Sequence, residues 1–200
     1  MNIEIERQHP LFILDFWGKA GANNQAGPSA HSIVYHSLDV AAVGAELIAR
    51  DQDILRRIAT VTGIDVGQLT SVLPFLLSLH DIGKYARVFQ AKSPDHWPAT
   101  ALGPYREIAP GNSHVVTGFQ MLVAFSDAGP VLEIFNAVLP EWSASERKIL
   151  FRTLAGHHGR PPAEGERSSL GQHDVCAACV AAAKVHIQAM FALMPITTPQ

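Results

Sequence analysis

Apolar residues recur at helical spacing along most of the chain. After a short apolar segment and a Gly/Asn-rich stretch (LFILDFWGKAGANNQAG), Ser32 is placed to cap a helix that runs through HSLDVAAVGAELIAR. A second helix is predicted from Asp53 to Thr62 and ends at Gly63, where glycine is a typical helix stop. The pattern therefore predicts two successive helices after the opening segment.

A third helix is predicted from about Gln68 to Tyr85, through LTSVLPFLLSLHDIGKY. Nearly all of its residues are apolar, and exposing so many Leu and Phe side chains to water would be costly. This helix is therefore expected in the core, with a polar His-Asp pair near its end. The Pro- and Trp-containing stretch from Ser93 to Gly111 is too irregular for a packed helix and is predicted to be a long loop.

The second half of the chain shows the same helical periodicity. Further helices are predicted at Ser113–Phe125, Pro130–Val138, Ser143–Ala155 and Asp174–Met194. The third of these begins with a capping box formed by Ser143 and Glu146. No segment shows the alternation of apolar and polar residues that is typical of a strand. The whole pattern predicts an all-α fold.

The composition narrows the class of protein. At 200 residues, of which 48% are apolar, the chain is expected to form one globular domain over residues 1–200. No stretch has the roughly eighteen apolar residues that cross a bilayer, and the N-terminus lacks a signal-type apolar core. We therefore expect a cytoplasmic protein without a membrane partner. The net charge of −3 disfavours a freestanding module that binds nucleic acid nonspecifically.

Two cysteines, Cys176 and Cys179, lie three positions apart in an Ala/Val-rich run. This spacing would supply half of a zinc site, but the chain has no second cysteine pair. Ordinary packing of a helix is the favoured interpretation.

The most informative polar residues are His80 and Asp81, which end the apolar third helix in LLSLHDIGK. Two polar side chains beside a core need compensation for lost hydration, and a metal ion would provide it. An imidazole nitrogen and a carboxylate oxygen suit a borderline divalent metal, and the carboxylate of Asp81 is a candidate bridge between two ions. The alternative for the dipeptide alone is an ordinary helix end with a hydrogen-bonded core histidine.

Four further histidines fall where other helices begin or end. They are His36 in VYHSLD, His114 in NSHVVTG, and the adjacent pair His157 and His158 in LAGHHGRPP. Helices that meet at one end of a bundle would bring these side chains to the His-Asp pair, as in other helical metal sites. The remaining histidines are interpreted as non-ligands: His9, His31, His96, His173 and His186. Among them, His31 is the nearest alternative because it is close to His36.

The ordered set His, His-Asp, His, His-His resembles that of the HD superfamily of metal-dependent phosphohydrolases. More closely, the chain resembles the HD nuclease domain at the N-terminus of the CRISPR-associated helicase-nuclease, the type I interference effector. The strings that carry this resemblance are FWGKAG, HSLDVAAVG, LLSLHDIGKYARVFQ, NSHVVTG and LAGHHGRPP. Together they span most of the chain. The resemblance implies an HD-domain helical bundle with a metal site at the meeting point of several helices.

The resemblance also implies how the metal ligands are divided. His36, His80 and Asp81 would hold one divalent ion, while Asp81, His114, His157 and His158 would hold a second. The expected ions are Mn, Ni, Co or Fe, with Mg also compatible. The family pattern includes a later Asp in an Ala-Asp-Trp-like stretch, and the nearest residue here, Asp174, lies in GQHDVCAAC, which does not match. Occupancy of the first site is therefore left open.

The function that the resemblance implies is hydrolysis of single-stranded DNA in CRISPR interference. Its partners would be a helicase domain or subunit and the RNA-guided surveillance complex, and the chain would be an N-terminal fragment of a longer helicase-containing protein. No GxxxxGK[ST] phosphate-binding motif occurs in the sequence. Two alternatives remain: an HD phosphohydrolase acting on nucleotides or cyclic nucleotides, and a metal-stabilised interaction domain without turnover.

Basic side chains supply the remaining functional candidates. Asp81 and Lys84 are the candidate catalytic residues, because Lys84 follows Asp81 by one helical turn and its ammonium group is expected near a phosphate oxygen; a solvated surface lysine is the alternative. Four other basic residues are candidates for contacts with the DNA backbone: Lys19, Arg87, Lys92 and Arg160.

Overall fold

The computed structural model describes residues 10–21, 29–163, 174–194 and 196, and helices make up most of this part of the chain. The helices are α1 (Ile33–Arg50), α2 (Gln52–Thr62), α3 (Val66–Ser78), α4 (Arg87–Gln90), α5 (Ala99–Leu102), α6 (His114–Phe125), α7 (Pro130–Val138), α8 (Ala144–Ala155) and α9 (Ala177–Leu193). Short 3-10 helices cover Pro10–Asp15, Ile82–Tyr85 and Pro94–His96. The predicted helical fold class is confirmed.

The ends of the long helices follow from local side-chain chemistry. Ser32 caps α1 by accepting a hydrogen bond from the backbone amide of Val34, as predicted. Gly63 ends α2 in the left-handed conformation, with φ 72°. Ser143 and Glu146 form the predicted capping box at the start of α8.

A short antiparallel strand pair contradicts the expectation that the chain has no strand. β1 (Trp17–Ala20) pairs with β2 (Ala30–Ser32), and Lys19 lies opposite His31. The strands have only 4 and 3 residues, which is too short for an alternating pattern to stand out from the sequence.

The third helix also differs from the prediction, because it ends at Ser78 instead of continuing to Tyr85. A turn over residues 79–81 and the 3-10 turn at Ile82–Tyr85 follow it. The predicted long loop between Ser93 and Gly111 is correct in part, since it contains the 3-10 turn at Pro94–His96 and the single turn of α5.

One hydrophobic core joins these elements and fixes the positions of their ends. Its largest fully buried side chains include Phe16, Phe75, Tyr85, Phe135 and Phe151. Helix α1 packs on α3, while α6 packs on both the Ile82–Tyr85 turn and α8. These contacts bring the start of α1, the turn after α3, the start of α6 and the end of α8 together. Within the described residues, no single helix is long and apolar enough to span a membrane; two bent helix pairs reach the required length and composition only together.

Candidate metal centre

The six predicted ligands come from four chain segments that meet around Asp81. His36 lies in the first turn of α1, and His114 is the first residue of α6. His80 and Asp81 lie in the turn after α3, and His157 and His158 lie in the turn after α8. Each segment is held by the core packing of its helix, so the side chains converge on one centre although 122 positions separate the first from the last.

One oxygen of Asp81 faces the first group of nitrogen atoms. Oδ2 lies 3.0 Å from Nε2 of His36 and 3.1 Å from Nε2 of His80. Nζ of Lys84 lies 2.7 Å from the same oxygen. The Asp81 side chain is only 2% exposed, so water contributes little to the stability of its charge.

The other oxygen of Asp81 faces the second group. Oδ1 lies 3.4 Å from Nε2 of His157 and 3.6 Å from Nε2 of His114. Nε2 of His114 in turn lies 3.2 Å from Nε2 of His158. The two carboxylate oxygens therefore point toward different sets of imidazoles, the arrangement expected of a carboxylate that bridges two ions.

Backbone carbonyls fix the orientation of two imidazoles. Nδ1 of His80 lies 2.8 Å from the carbonyl oxygen of Leu77, and Nδ1 of His157 lies 3.0 Å from that of Leu154. A carbonyl only accepts, so each Nδ1 carries the proton and donates it. In the neutral ring, the lone pair of Nε2 then points toward Asp81. A hydrogen bond donated by the other ring nitrogen orients metal-binding histidines in the same way.

Burial and nearby charges shift the pKa values of the centre in opposite directions. Burial by itself would raise the pKa of Asp81, but interactions with His157, His80 and Lys84 outweigh it and hold that pKa well below its usual range. Burial lowers the pKa of His114 to about 4, although the nearby Asp81 carboxylate acts in the opposite direction. Burial also lowers the pKa of His36. Asp81 is thus charged and both histidines are neutral at pH 7, the forms that bind metal.

The second group of imidazoles is more exposed than the first. The side chain of His157 is 23% exposed and that of His114 is 15% exposed, whereas the side chains of His36 and His80 are 11% and 9% exposed. His158 is also exposed. The surface at His157 and His158 therefore gives a substrate the more open access to the centre.

The donor set fits divalent metal ions. Within the described residues, Oδ1 of Asp81 is buried without a hydrogen-bond partner, a costly state that a cation would relieve. Two groups of potential ligands have their donor atoms within 4.8 Å of one another: His36, His80 and Asp81, and His114, His157 and His158. Imidazole and carboxylate together suit borderline divalent metals. The division of the histidines corresponds to the predicted one.

Lys84 is buried beneath this centre and is not the solvated surface lysine of the alternative interpretation. Besides its ion pair with Asp81, its Nζ donates a hydrogen bond to the carbonyl oxygen of Gly18, at 3.0 Å. The Lys84 ammonium group thus ties the site to β1 and offsets the charge of Asp81. Its expected contact with a substrate phosphate stays a prediction.

Gln90 is a supporting residue that the sequence analysis missed. Its side-chain amide is fully buried and donates to the carbonyl oxygens of Lys84, at 2.7 Å, and Trp17, at 2.9 Å. It thereby holds the Lys84 backbone against β1. A single Gln in a four-residue helix gives no sequence signal.

Gly83 was also missed, although it lies in the His-Asp-Ile-Gly string. A Cβ atom at Gly83 would lie 1.9 Å from the backbone oxygen of His114 and 2.5 Å from the backbone nitrogen of Gly118. Only glycine allows the turn after Asp81 to approach the start of α6 this closely. This contact sets the distance between Asp81 and His114.

Asp174 belongs to neither group of potential ligands. Its carboxylate is buried and accepts hydrogen bonds from the backbone and side-chain amides of Asn112, at 3.2 and 2.6 Å. It therefore anchors the segment that leads into His114, and the described residues supply no further carboxylate to the His36 group.

The other histidines have separate environments. His31 contacts Asp39 at 3.1 Å, and its ring lies 6.4 Å from that of His36. His96 forms a hydrogen bond with Ser93. His186 is fully buried in the core. His9 and His173 lie outside the described residues.

The four basic residues predicted to contact DNA differ in exposure. Lys19 on β1, Lys92 after α4 and Arg160 after α8 are exposed, and Arg87 is half-buried. Lys19 is close enough to His36 for its charge to contribute to the lowered pKa of that histidine. Arg160 follows the exposed His157 and His158 pair by two positions. Contact with DNA remains a prediction for all four.

The cysteines are packed at the start of α9. The Cys176 thiol caps this helix and lies 2.8 Å from the buried thiol of Cys179. Neither cysteine belongs to a potential metal group within the described residues.

Comparison with known proteins places this arrangement in a family. Residues 17–200 match the family described as Cas3, HD domain. The chain is 27% identical over 158 residues to the CRISPR-associated endonuclease/helicase Cas3 of Escherichia coli (strain K12), an alignment that covers 74% of this chain and 18% of that protein.

Solved structures show the same fold. One, described as a CRISPR-associated protein, superposes with a TM-score of 0.72 at 24% identity and covers 94% of this chain and 20% of its own. The ADP complex of T. fusca Cas3 superposes with a TM-score of 0.65 at 21% identity and covers 93% of this chain and 20% of its own. The chain thus spans about a fifth of the length of these relatives. Since the family match extends over nearly the whole sequence, the chain belongs to the Cas3 HD domain family.

Proposed function

We propose that the protein is a metal-dependent nuclease that hydrolyses phosphodiester bonds of single-stranded DNA in CRISPR interference. The observation that carries this proposal is Asp81, whose two oxygens face different histidine groups. Such a pair of groups fits two adjacent ions, the arrangement used for in-line displacement at phosphate. The family relationship supports the nuclease assignment.

The residues of this chain would prepare the reaction in three ways. Asp81 and the histidines would hold divalent ions, which when bound would activate water and stabilise the charge on the phosphate. The carbonyls of Leu77 and Leu154 orient the rings of His80 and His157. The Lys84 ammonium stabilises the charged form of Asp81, with which it forms a 2.7 Å contact.

The exposure of the second group favours a polymeric substrate. His157 and His158 lie at a surface turn, and exposed residues Gly159, Arg160 and Pro161 follow them. A strand can lie across such a surface, whereas a nucleotide or cyclic nucleotide hydrolase would favour an enclosed pocket. Arg160 supplies a positive charge for a neighbouring phosphate.

The proposed setting is the cytoplasm, with the nuclease acting beside a helicase. The E. coli relative is described as an endonuclease/helicase, and this chain aligns with 18% of it. We propose a helicase domain or subunit and the RNA-guided surveillance complex as partners. Mn, Ni, Co or Fe are the proposed ions, with Mg as a further candidate, because imidazole-rich sites favour transition metals.

The test uses circular single-stranded DNA, which reports endonuclease activity without contributions from strand ends. Cleavage is measured with Mn, Ni, Co, Fe or Mg, in the wild type, in Asp81→Ala and in Asp127→Ala. Asp127 is an exposed carboxylate in the turn after α6 and is the matched control. The proposal expects cleavage by the wild type and Asp127→Ala and its loss in Asp81→Ala.

Other outcomes separate the alternatives. Equal cleavage by Asp81→Ala and the wild type would contradict catalysis at this centre. Hydrolysis of nucleotides or cyclic nucleotides without cleavage of DNA would favour the small-molecule phosphohydrolase. A metal-dependent rise in thermal stability, without hydrolysis of either substrate, would favour the non-catalytic interaction domain.

A further inference from the structure

An aromatic cavity of about 590 Å³ lies beside the candidate metal centre. Three parts of the chain form it: residues 14–17, the segment from β2 into α1, and the segment over residues 96–100. Its lining includes five residues with aromatic rings and one carboxylate: Trp17, His31, Tyr35, His96, Trp97 and Asp15. We call this space the aromatic cavity. Its volume is within the range of sites that bind small organic groups.

The aromatic cavity lies close to a candidate metal ligand, with the imidazole ring of His31 between them. The ring of His31, which lines the cavity, lies 6.4 Å from the ring of His36. Nε2 of His36 in turn lies 3.0 Å from Oδ2 of Asp81. A group bound in the cavity would therefore adjoin a group bound at the metal centre.

The cavity walls present flat ring surfaces in fixed positions. Tyr35 is 53% exposed, so its ring is accessible to a ligand. The Trp97 indole nitrogen donates to the carbonyl oxygen of Gly103 at 2.8 Å, and the Trp97 ring packs edge-on against Tyr105 at 5.4 Å. Trp97 is therefore oriented before any ligand binds.

The charges around the aromatic cavity favour a neutral group within it and an anion beside it. Asp15 lines the cavity, and the His31 imidazole already contacts Asp39, so a phosphate inside would meet carboxylates. Lys19 lies opposite His31 in the strand pair, and directly paired residues project from the same face. A phosphate would be favoured at Lys19 and a neutral ring in the cavity.

We propose that the aromatic cavity binds one nucleobase of the DNA strand, next to the phosphodiester held at the metal centre. This inference rests on the proposed nuclease function and adds to it a subsite for the substrate. Stacking of bases on aromatic side chains tolerates any base, because every base has a π face. Nε2 of His31 already contacts Asp39, and Nδ1 of His96 already contacts Ser93. Stacking on the rings of Tyr35 and Trp97 is therefore the main contact that we propose for the base.

The first test measures kcat and KM for cleavage of an oligonucleotide with Mn. Tyr35→Ala and Trp97→Ala are each expected to raise KM about tenfold and to leave kcat close to that of the wild type, because stacking contributes equally before and during the reaction. Trp97→Phe is expected to restore most of the affinity. Trp142→Ala is the control, since Trp142 lines a separate cavity with Val61 and Ile149.

The second test removes a base from the DNA instead of a side chain from the protein. One abasic nucleotide is moved through the oligonucleotide, and a single position next to the cleaved bond is expected to raise KM about tenfold in the wild type. The same abasic position should cause no further rise in Tyr35→Ala. Independent effects of the two changes, or unchanged KM in both alanine variants while the wild type cleaves normally, would overturn the subsite and leave the nuclease function intact.

A third measurement does not depend on cleavage. Oligothymidylates with 5-iodouracil at single positions are photo-crosslinked to the wild type, and the modified residues are mapped by mass spectrometry. Crosslinks to Tyr35 or Trp97 support base binding in the aromatic cavity even if no DNA is cut. Crosslinks confined to other residues contradict it.

Discussion

Nε2 of His80 lies 3.1 Å from Oδ2 of Asp81, its neighbour in the chain. Consecutive side chains on a regular helix diverge and do not face each other. These two face each other because α3 ends at Ser78 and both residues lie in the turn that follows. The break of the apolar helix is therefore what creates the candidate metal centre.

The position of Asp81 between the two histidine groups predicts different metal stoichiometries for two variants. Asp81→Asn is expected to lose both ions, because each group loses its charged oxygen. His114→Ala should lose only the ion of the second group, since Nε2 of His114 lies 3.6 Å from Oδ1 of Asp81 and groups with His157 and His158, not with His36 and His80. Elemental analysis after dialysis against limiting Mn measures the stoichiometry.

Asp127→Asn is the control for these measurements and should bind as many ions as the wild type. If His114→Ala and Asp81→Asn lost the same number of ions, Asp81 would not be the shared ligand.

Gly83→Ala is expected to destabilise the protein strongly. The added Cβ would lie 1.9 Å from the backbone oxygen of His114, and backbone cannot move aside as a side chain can. We expect a loss of at least about 3 kcal/mol in the free energy of unfolding. Urea-induced unfolding of the variant and the wild type, without metal, measures it.

Gly44→Ala is the matched comparison, because its Cβ would meet only the end of the Leu77 side chain, which can rotate. It is expected to cost less than Gly83→Ala, and the gain in helix propensity offsets part of that cost. Equal losses in the two variants would show that the contact between Gly83 and α6 has no special role.

The sequence predicted most of the candidate site because the candidate ligands lie at helix ends. Helical periodicity predicted helix boundaries near His36, His114 and His157. Polar side chains at these boundaries would need hydrogen-bond partners in a core, so metal binding was a plausible reason for them. The structure brings all six predicted ligands to one centre. Which ions they bind is a question of chemistry that periodicity does not address.

The sequence did not predict the elements that depend on distant contacts. The apolar pattern continues through Leu79 and Ile82, so the sequence gives no sign that α3 ends at Ser78. Gln90 and Asp174 are buried by partners 73 and 62 positions away, respectively, and their neighbours in sequence give no sign of this. The roles of such residues can be recognised only when the packing of the separate segments is known.

Cys176 is expected to react with iodoacetamide at neutral pH, while Cys179 stays protected. The hydrogen bond with Cys179 lowers the pKa of the Cys176 thiol to about 6, although burial acts in the opposite direction. The thiolate is the reactive form, so the rate should rise through a midpoint near pH 6. Mass spectrometry of the native protein at a series of pH values gives the rate at each cysteine.

Cys179→Ala tests the cause of this reactivity. Without the Cys179 thiol, the midpoint for Cys176 should move toward the higher pH of an ordinary cysteine. Unfolding in denaturant should make both thiols of the wild type equally reactive. An unchanged midpoint in Cys179→Ala would assign the lowered pKa to the start of α9 instead.

His186 is expected to make the folded state less stable as the pH falls from about 6.5 to about 4. Burial lowers its pKa to about 4 from 6.5, so the unfolded chain takes up a proton at a higher pH than the folded protein does. The stability contributed by neutral His186 is complete above pH 6.5 and is lost as the pH falls to about 4. The loss from this residue amounts to about 3 kcal/mol at most.

The hydrogen bonds of His186 indicate the best variant for measuring this effect. Nε2 lies 3.2 Å from the carbonyl oxygen of Ser78, so it donates, and Nδ1 accepts from the hydroxyl of Tyr85 at 3.0 Å. In His186→Gln, the amide offers one donor and one acceptor but does not titrate. The free energy of unfolding is measured in urea from pH 7.5 to pH 4. As the pH falls, the wild type should lose more stability than the variant. A difference that stays constant across this range would show that buried His186 does not contribute to the pH dependence of stability.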